Sequence, residues 1–446
     1  MAHTKNMTEG KPFPIIFAYF IPVLCSTIFQ QLYSIVDTII VGKGIDDMAL
    51  AAVGSTGAIT FFIFGFIMGL GSGMAVLMAQ AFGAGNYENL RKTITMGFLS
   101  CGFVAVIIML LSMIVVKPVL VLLNTSPLIL EDAILYITII ILGIPLTLLY
   151  NCLSAILSAL GDSKTPLVAV VISTIINVVL DIAFIMGLHM RVEGAAIATL
   201  IAQFCSAIFC YMKLRKVPFV HLKKEDWKLD IKLIFTQFKI GIPVAFMNSV
   251  TAIGCLLLQY FVNLFGVNYT AAYSACSRIT QFLMQLSSAV GMTISTYAGQ
   301  NLGAGKIERI RQGLKEASKI TIIITIFSSM CLIFAPRFLA SIILTDPEII
   351  DLSINYLRIC GVMMWAIGFL FLVRSTLQGM GATVVPMISG FLELAARVLM
   401  ILLLASRVGY PGIAIAEVTA WLSAFLLNGV FLIIKLRKLR KMEALG

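Results

Sequence analysis

Charge is what this sequence has least of. Asp, Glu, Lys and Arg make up 12% of its 446 residues, against about 25% in soluble domains. Histidine and tryptophan are down to three each. The nine cysteines (Cys25, Cys101, Cys152, Cys205, Cys210, Cys255, Cys276, Cys331, Cys360) fall within or at the ends of apolar runs, with no C-x-x-C pair and no metal-ligand spacing. They read as small apolar residues and not as a disulfide framework. No H-E-x-x-H, G-x-S-x-G or His/Cys constellation occurs, nor any G-x-x-x-x-G-K-[ST]. An ordinary soluble enzyme, a disordered chain and an ATP-driven pump are therefore excluded. His3, His189 and His221 lie in tails or loops and read as solvated.

What fills the chain instead is hydrocarbon. Hydrophobic residues make up 60%, with 29 Phe and 22 Met. A membrane-spanning helix needs about 20 mostly apolar residues. Such runs lie near 14–41, 54–80, 93–116, 128–157, 165–188, 194–214, 236–264, 270–298, 318–344, 351–377, 384–406 and 411–434. The expectation is an all-α polytopic membrane protein with twelve transmembrane helices. A short polar leader, residues 1–13, runs straight into the first span, which contains Pro22, so no cleavable signal peptide is expected.

The net charge of +11 takes its meaning from its placement. With a cytoplasmic N-terminus, outer loops hold five basic residues (Lys43, Lys117, Arg191, Arg337, Arg407). Arg278, Arg358, Arg374 and Arg397 lie in or at the edge of spans. The remaining 23 of the 32 Lys and Arg are on the inner side, densest in the loop from Lys213 to Lys239 and in the tail Lys435–Lys441. This bias follows the positive-inside rule. It predicts a plasma-membrane protein with both termini cytoplasmic, its basic partner being the lipid bilayer and not nucleic acid.

The chain also repeats itself at about 220 residues. Ile21-Pro22-Val23 returns as Ile242-Pro243-Val244, and Gln80 with Gly83-Ala84-Gly85 returns as Gln300 with Gly303-Ala304-Gly305. Gly161 and Pro166 return as Gly381 and Pro386. Gly194-Ala195-Ala196-Ile197-Ala198 matches Gly412-Ile413-Ala414-Ile415-Ala416. Six spans per repeat is an even number, so the halves are parallel. This predicts two pseudo-symmetric six-helix bundles around a central cavity, an architecture of secondary transporters. The boundaries read as an N-lobe at 14–216, a basic linker at 217–235, a C-lobe at 236–434 and a basic tail from 435. Two fused halves need no dimer, so a monomer is expected, with no cofactor.

Ionisable residues inside spans are costly, by about 2.5–3.5 kcal/mol each on insertion scales. The first half keeps Asp37 in span 1 and Asp181 in span 5, with no Lys or Arg in the interior of its spans. Ser26, Gln30, Tyr33 and Asp37 share one helical stripe, and Ser173, Asn177 and Asp181 another. At about 1.5 Å rise per residue, Asp37 and Asp181 come late in outward-running spans. Tyr136 and Thr199 come early in inward-running ones, which puts all four at one depth in the outer half. Such oxygens suit a hard cation such as Na⁺. The two carboxylates equally suit a shared proton, since two like charges are costly to bury together. In the second half, repeat alignment sets Arg397 opposite Asn177, Ile401 opposite Asp181 and Glu417 opposite Thr199. Glu393 and Arg397 stand four apart on one face. A self-neutralised, mainly structural cluster of Glu393, Arg397 and Glu417 is expected, with Arg278 and Arg374 left without assigned partners.

Gln80-Ala81-Phe82-Gly83-Ala84-Gly85 with Glu88-Asn89-Leu90-Arg91-Lys92, its echo at 300–305, Gln30 through Thr38, and Gly161 through Pro166 resemble the multidrug and toxic compound extrusion (MATE) transporters over residues 12–440. The resemblance implies efflux of organic cations and drugs driven by Na⁺ or H⁺. In the family's DinF-like branch an N-lobe cation site falls on positions that here read Asp37, Tyr136, Asn177, Asp181 and Thr199. The NorM-like branch carries acids on spans 7 and 10, which this chain lacks. Substrate contacts are expected from Gln30, Tyr33 and Asn151, aided by Met and Phe. Among alternatives, a major-facilitator transporter would carry a basic loop where Gly83 to Glu88 stands. A flippase for lipid-linked oligosaccharides or another amphiphile would have a cationic cavity and often fourteen spans. A membrane enzyme would need the constellations already found missing.

Overall fold

Inside lipid, a backbone satisfies its own N–H and C=O groups by forming helices. The computed structural model of this chain describes residues 4–122 and 125–443, and His3 lies outside them. Every regular element among the described residues is helical. The first half runs α1 (Pro12–Gly44), α2 (Asp47–Gly83), α3 (Tyr87–Leu122), α4 (Pro127–Leu142), α5 (Ile144–Ala159), α6 (Lys164–Asp181) and α7 (Val192–Leu214). The second runs α8 (Ile231–Asn263), α9 (Val267–Gly303), α10 (Ile307–Phe334), α11 (Pro336–Ser341), α12 (Pro347–Val362), α13 (Met364–Gly379), α14 (Val384–Val408) and α15 (Pro411–Glu443).

Nine of these helices are long and apolar enough to cross a membrane, and two bent pairs bring the number to eleven. The twelfth expected span, 270–298, is α9. It is 37 residues long, but its Ser, Thr, Gln and Arg278 make it too polar to count on composition alone. The runs at 128–157 and 351–377, each expected as one span, are the two bent pairs. Each is two helices meeting at 47°. In the first, Gly143 ends α4 and Pro145 sits in the opening turn of α5, where its missing N–H breaks no helical bond. In the second, a Cβ on Gly361 would come within 2.9 Å of Leu332 and Ile333, so the close approach of α12 to α10 is possible only for glycine.

The helices form two compact units. One comprises residues 4–6 and Ile21–Ala245, the other Met7–Phe20 and residues 246–443. The division falls elsewhere than at the linker because α1 and α8 each contribute to both units, changing over beside Pro22 and Pro243. In the first unit, Gly69 and Gly73 leave room for the backbone of Ala245 and Gly241, which a Cβ at either glycine would strike. This is the small-x-x-x-small approach of membrane helices. Gln237 donates to the Thr93 carbonyl at 2.8 Å and accepts from Ser100 at 3.1 Å, and Asp226 of the linker pairs with Arg91 at 3.0 Å. In the second unit, Tyr19 meets Thr296 at 3.4 Å. The leader backbone there is held by side chains: Gln300 accepts from the Met7 N–H at 2.9 Å, and Arg309 donates to the carbonyls of Met7 and Gly10 at 3.1 and 2.9 Å.

Candidate functional site

Four helices of the first unit bring polar side chains together. α1 supplies Tyr33 and Asp37, one helical turn apart, and α6 supplies Asn177 and Asp181 at the same spacing. α4 supplies Tyr136 and α7 supplies Thr199. The Tyr33 hydroxyl lies 3.1 Å from Thr199 Oγ1, and Asn177 Nδ2 donates to that same oxygen at 3.4 Å. Asp37 and Asp181 are electrostatic neighbours of each other and of both tyrosines. Asn177 and Asp181 are fully buried.

The acceptors are in surplus. Oδ1 of Asp37, Oδ1 of Asn177 and both carboxylate oxygens of Asp181 are buried with no hydrogen-bond partner. Neither aspartate forms an ion pair among the described residues. Buried polar atoms are nearly always satisfied, so four orphaned oxygens in one cluster call for an explanation. Acceptors with no donor are what a hard cation or a proton completes.

Ile40, Val41, Ala49, Ile185, Val192 and Ala195 form an apolar cluster, with Val36, Tyr136 and Val178 packed against it. Directly after Asp181 the helix widens into π geometry over Ile182–Gly187, a feature that clusters at functional positions. Nothing in the local composition announces it. At the same end of the unit, Arg191 bridges Asp46 at 3.2 Å and Asp132 at 2.9 Å. Asp46 caps α2 by accepting from the Ala49 N–H at 2.6 Å. That bond, aided by Arg191, holds the Asp46 carboxyl below the usual carboxylate range.

The expected substrate contacts fall differently. Tyr33 is in the cluster itself, while Gln30 is exposed on α1 one turn earlier. Asn151 donates to the Thr147 carbonyl of its own helix at 2.8 Å, beside a Thr147–Gln203 bond of 2.5 Å.

In the second unit the expected pairing is corrected. Glu393 is bonded to Arg374 of α13, and Arg397 to Glu417 of α15 at 3.2 and 3.4 Å. The cluster is thus two ion pairs, and it supplies the partner that Arg374 lacked in sequence. Sequence spacing favoured Glu393 with Arg397 because it sees only one helix; the neighbouring helix brought a competitor. Arg278 is exposed on α9.

The family model MatE matches residues 22–183 and again 243–404, one copy in each half. A probable multidrug resistance protein, YoeA of Bacillus subtilis (strain 168), is 26% identical over 82% of this chain and 81% of its own. The FAD transporter of Shewanella oneidensis is 25% identical over 85% and 84%. A crystal structure of a MATE in the bent conformation aligns with a TM-score of 0.92 over 98% of both chains, at 22% identity.

Proposed function

The chain belongs to the MatE family, and on that premise we propose that it is a secondary active antiporter, exporting organic cations and drugs in exchange for Na⁺ or H⁺ taken up at the Asp37–Asp181 site. The observation that carries this reading is the set of four buried acceptor oxygens without donors. With no nucleotide-binding motif in the sequence, transport is driven by an ion gradient or is passive, and this cluster is a place where an ion changes the energy of the fold. With the site empty of charge compensation, two neighbouring carboxylates repel. A bound Na⁺, or a proton shared between them, relieves that repulsion and lets α1 and α6 draw together.

The residues divide the work. Asp37 and Asp181 supply charge, the Asn177 carbonyl oxygen a neutral ligand, and Thr199 a hydroxyl that Tyr33 and Asn177 hold in place. Tyr136 closes the α4 side. Pro22 removes one backbone N–H from α1, a point at which that helix can bend in response to occupancy. Gln30, Tyr33 and Asn151 remain the proposed drug contacts. The relative YoeA, a probable multidrug resistance protein, supports the cargo class. The setting that goes with the reading is a plasma-membrane monomer with cytoplasmic termini, no cofactor and no nucleic-acid partner.

Reconstitution into vesicles with a fluorescent cationic dye tests it. Dye transport should follow either a Na⁺ gradient alone or a pH gradient alone, and should vanish in Asp37→Asn and Asp181→Asn. Gradient-driven transport at wild-type rate in both variants would refute the assignment.

A further inference from the structure

The first unit also gathers sulfur. Met74 and Met78 lie one turn apart on α2, Cys101 is on α3 and Cys152 on α5, and all four are buried in one apolar core. The Cys101 thiol donates to Met74 Sδ, with 3.3 Å between the sulfurs. Cys152 stands within hydrogen-bonding range of Cys101. Met74 and Met78 meet at Gly97 of α3, where a Cβ would come within 3.2 Å of Met78 Cε and 3.4 Å of Met74 Sδ. Two thiols and two thioethers from three helices thus converge. No spacing along the chain announces them, because half of the donors are methionines and the two cysteines sit on different helices.

Ordinary core packing leaves few voids as large as a water molecule, and here there is one. A narrow crevice reaches the cluster, lined by Met74, Met78 and Cys152, with Gly71, Gly97 and Ala155 keeping it open and hydrocarbon completing the wall. It has room for about one water-sized guest. A water there would need polar partners, and the lining offers nothing more polar than sulfur. The Gln237 amide approaches Gly97, but it already donates to the Thr93 carbonyl and accepts from Ser100. A hard cation takes oxygen ligands, whereas thiolates and thioethers select soft ions such as Cu⁺.

Charge sets the valence. One thiolate with one monovalent cation is neutral, which an apolar core accepts without the cost of a bare charge. The exchange balances. The Cys101 S–H bond breaks, its proton leaves to solvent, a bond forms from that sulfur to the ion, and lone pairs of Met74 and Cys152 complete the coordination. Nothing is oxidised or reduced. The ion takes the place of the proton between Cys101 and Met74, and the unbranched Met74 side chain can move aside for it.

We propose that Met74, Cys101 and Cys152, backed by Met78, form a binding site for one soft monovalent metal ion of the Cu⁺ class. The site shares no residue and no helix with the Asp37–Asp181 cluster, and it stands whichever ion or cargo the chain carries. An ion bound there ties α2, α3 and α5 together at one point.

Anaerobic titration of the purified full-length chain with Cu⁺, in competition with the chromophoric chelator bathocuproine disulfonate, tests this. The wild type should take up one equivalent more than Cys101→Ala/Cys152→Ala, and that equivalent should release one proton in weak buffer. Met74→Leu conserves volume while removing the thioether, so it should keep the wild-type thermal midpoint and weaken the extra equivalent by about tenfold or more. Zn²⁺ should not displace it. Equal Cu⁺ uptake by the wild type and the folded double variant overturns the proposal, as does displacement by Zn²⁺. Should the double variant fail to fold, Met74→Leu decides: Cu⁺ affinity equal to the wild type's overturns the proposal, and the expected loss supports it.

Discussion

Single atoms decide the two polar clusters. Tyr33 and Asn177 converge on one oxygen of Thr199, so removing the Tyr33 hydroxyl loosens a proposed ligand without touching a charge. A neutral hydrogen bond is worth about 0.5–1.5 kcal/mol. Tyr33→Phe should therefore raise the ion concentration for half-maximal exchange by about two- to tenfold, with the thermal midpoint nearly unmoved. Gly254 acts by lacking an atom. Its Ala variant drives a methyl into Arg397 and should destabilise the fold by about 1–3 kcal/mol, read as a lowered unfolding temperature. Asp37 and Asp181 were legible in the sequence because a charge-poor chain makes each buried acid conspicuous. The Arg374–Glu393 bond was not, because nothing along the chain says that α13 passes α14 at that level.

Among elements, hydropathy finds spans but not their bends. The pairs α4–α5 and α12–α13 read as uninterrupted apolar runs, since a 47° break changes direction without changing composition. Gly143 and Pro145 were the only local sign in the first. The π segment after Asp181 was equally silent. Caps are more readable. Asp46→Ala should cost about 1 kcal/mol, the usual worth of an N-cap. Its pH dependence has a definite sign. The folded state holds this carboxyl low, so the stabilisation is present above the ordinary carboxylate range and is lost as pH falls from there through the lowered folded value. Wild type and Asp46→Ala should differ in unfolding temperature at neutral pH and converge in acid. The leader gives another test. Arg309 donates to the carbonyls of Met7 and Gly10, and charge-assisted bonds are worth about 1.5–3 kcal/mol each. Arg309→Ala should speed hydrogen exchange over residues 7–10 by at least about tenfold, with α10 unaffected.

At the scale of the whole molecule, the duplication is the strongest message of the sequence, and the MatE match repeats it at the same spacing. What duplication hid is the exchange of ends. Met7–Phe20, which includes the start of α1, packs in the second unit, and the start of α8 as far as Ala245 packs in the first, a trade set by Gly69, Gly73, Gln237 and Arg309 and not by order along the chain. Duplication also left the halves chemically unlike. One keeps two unpaired acids; the other answers its acids with arginines. The proposed coupling belongs to the first alone, and ion release measures it. Adding a cationic drug to purified protein loaded with Na⁺, or equilibrated with protons in weak buffer, should discharge Na⁺ or H⁺ from the wild type and nothing from Asp37→Asn/Asp181→Asn. Equal discharge from the folded double variant would contradict the account.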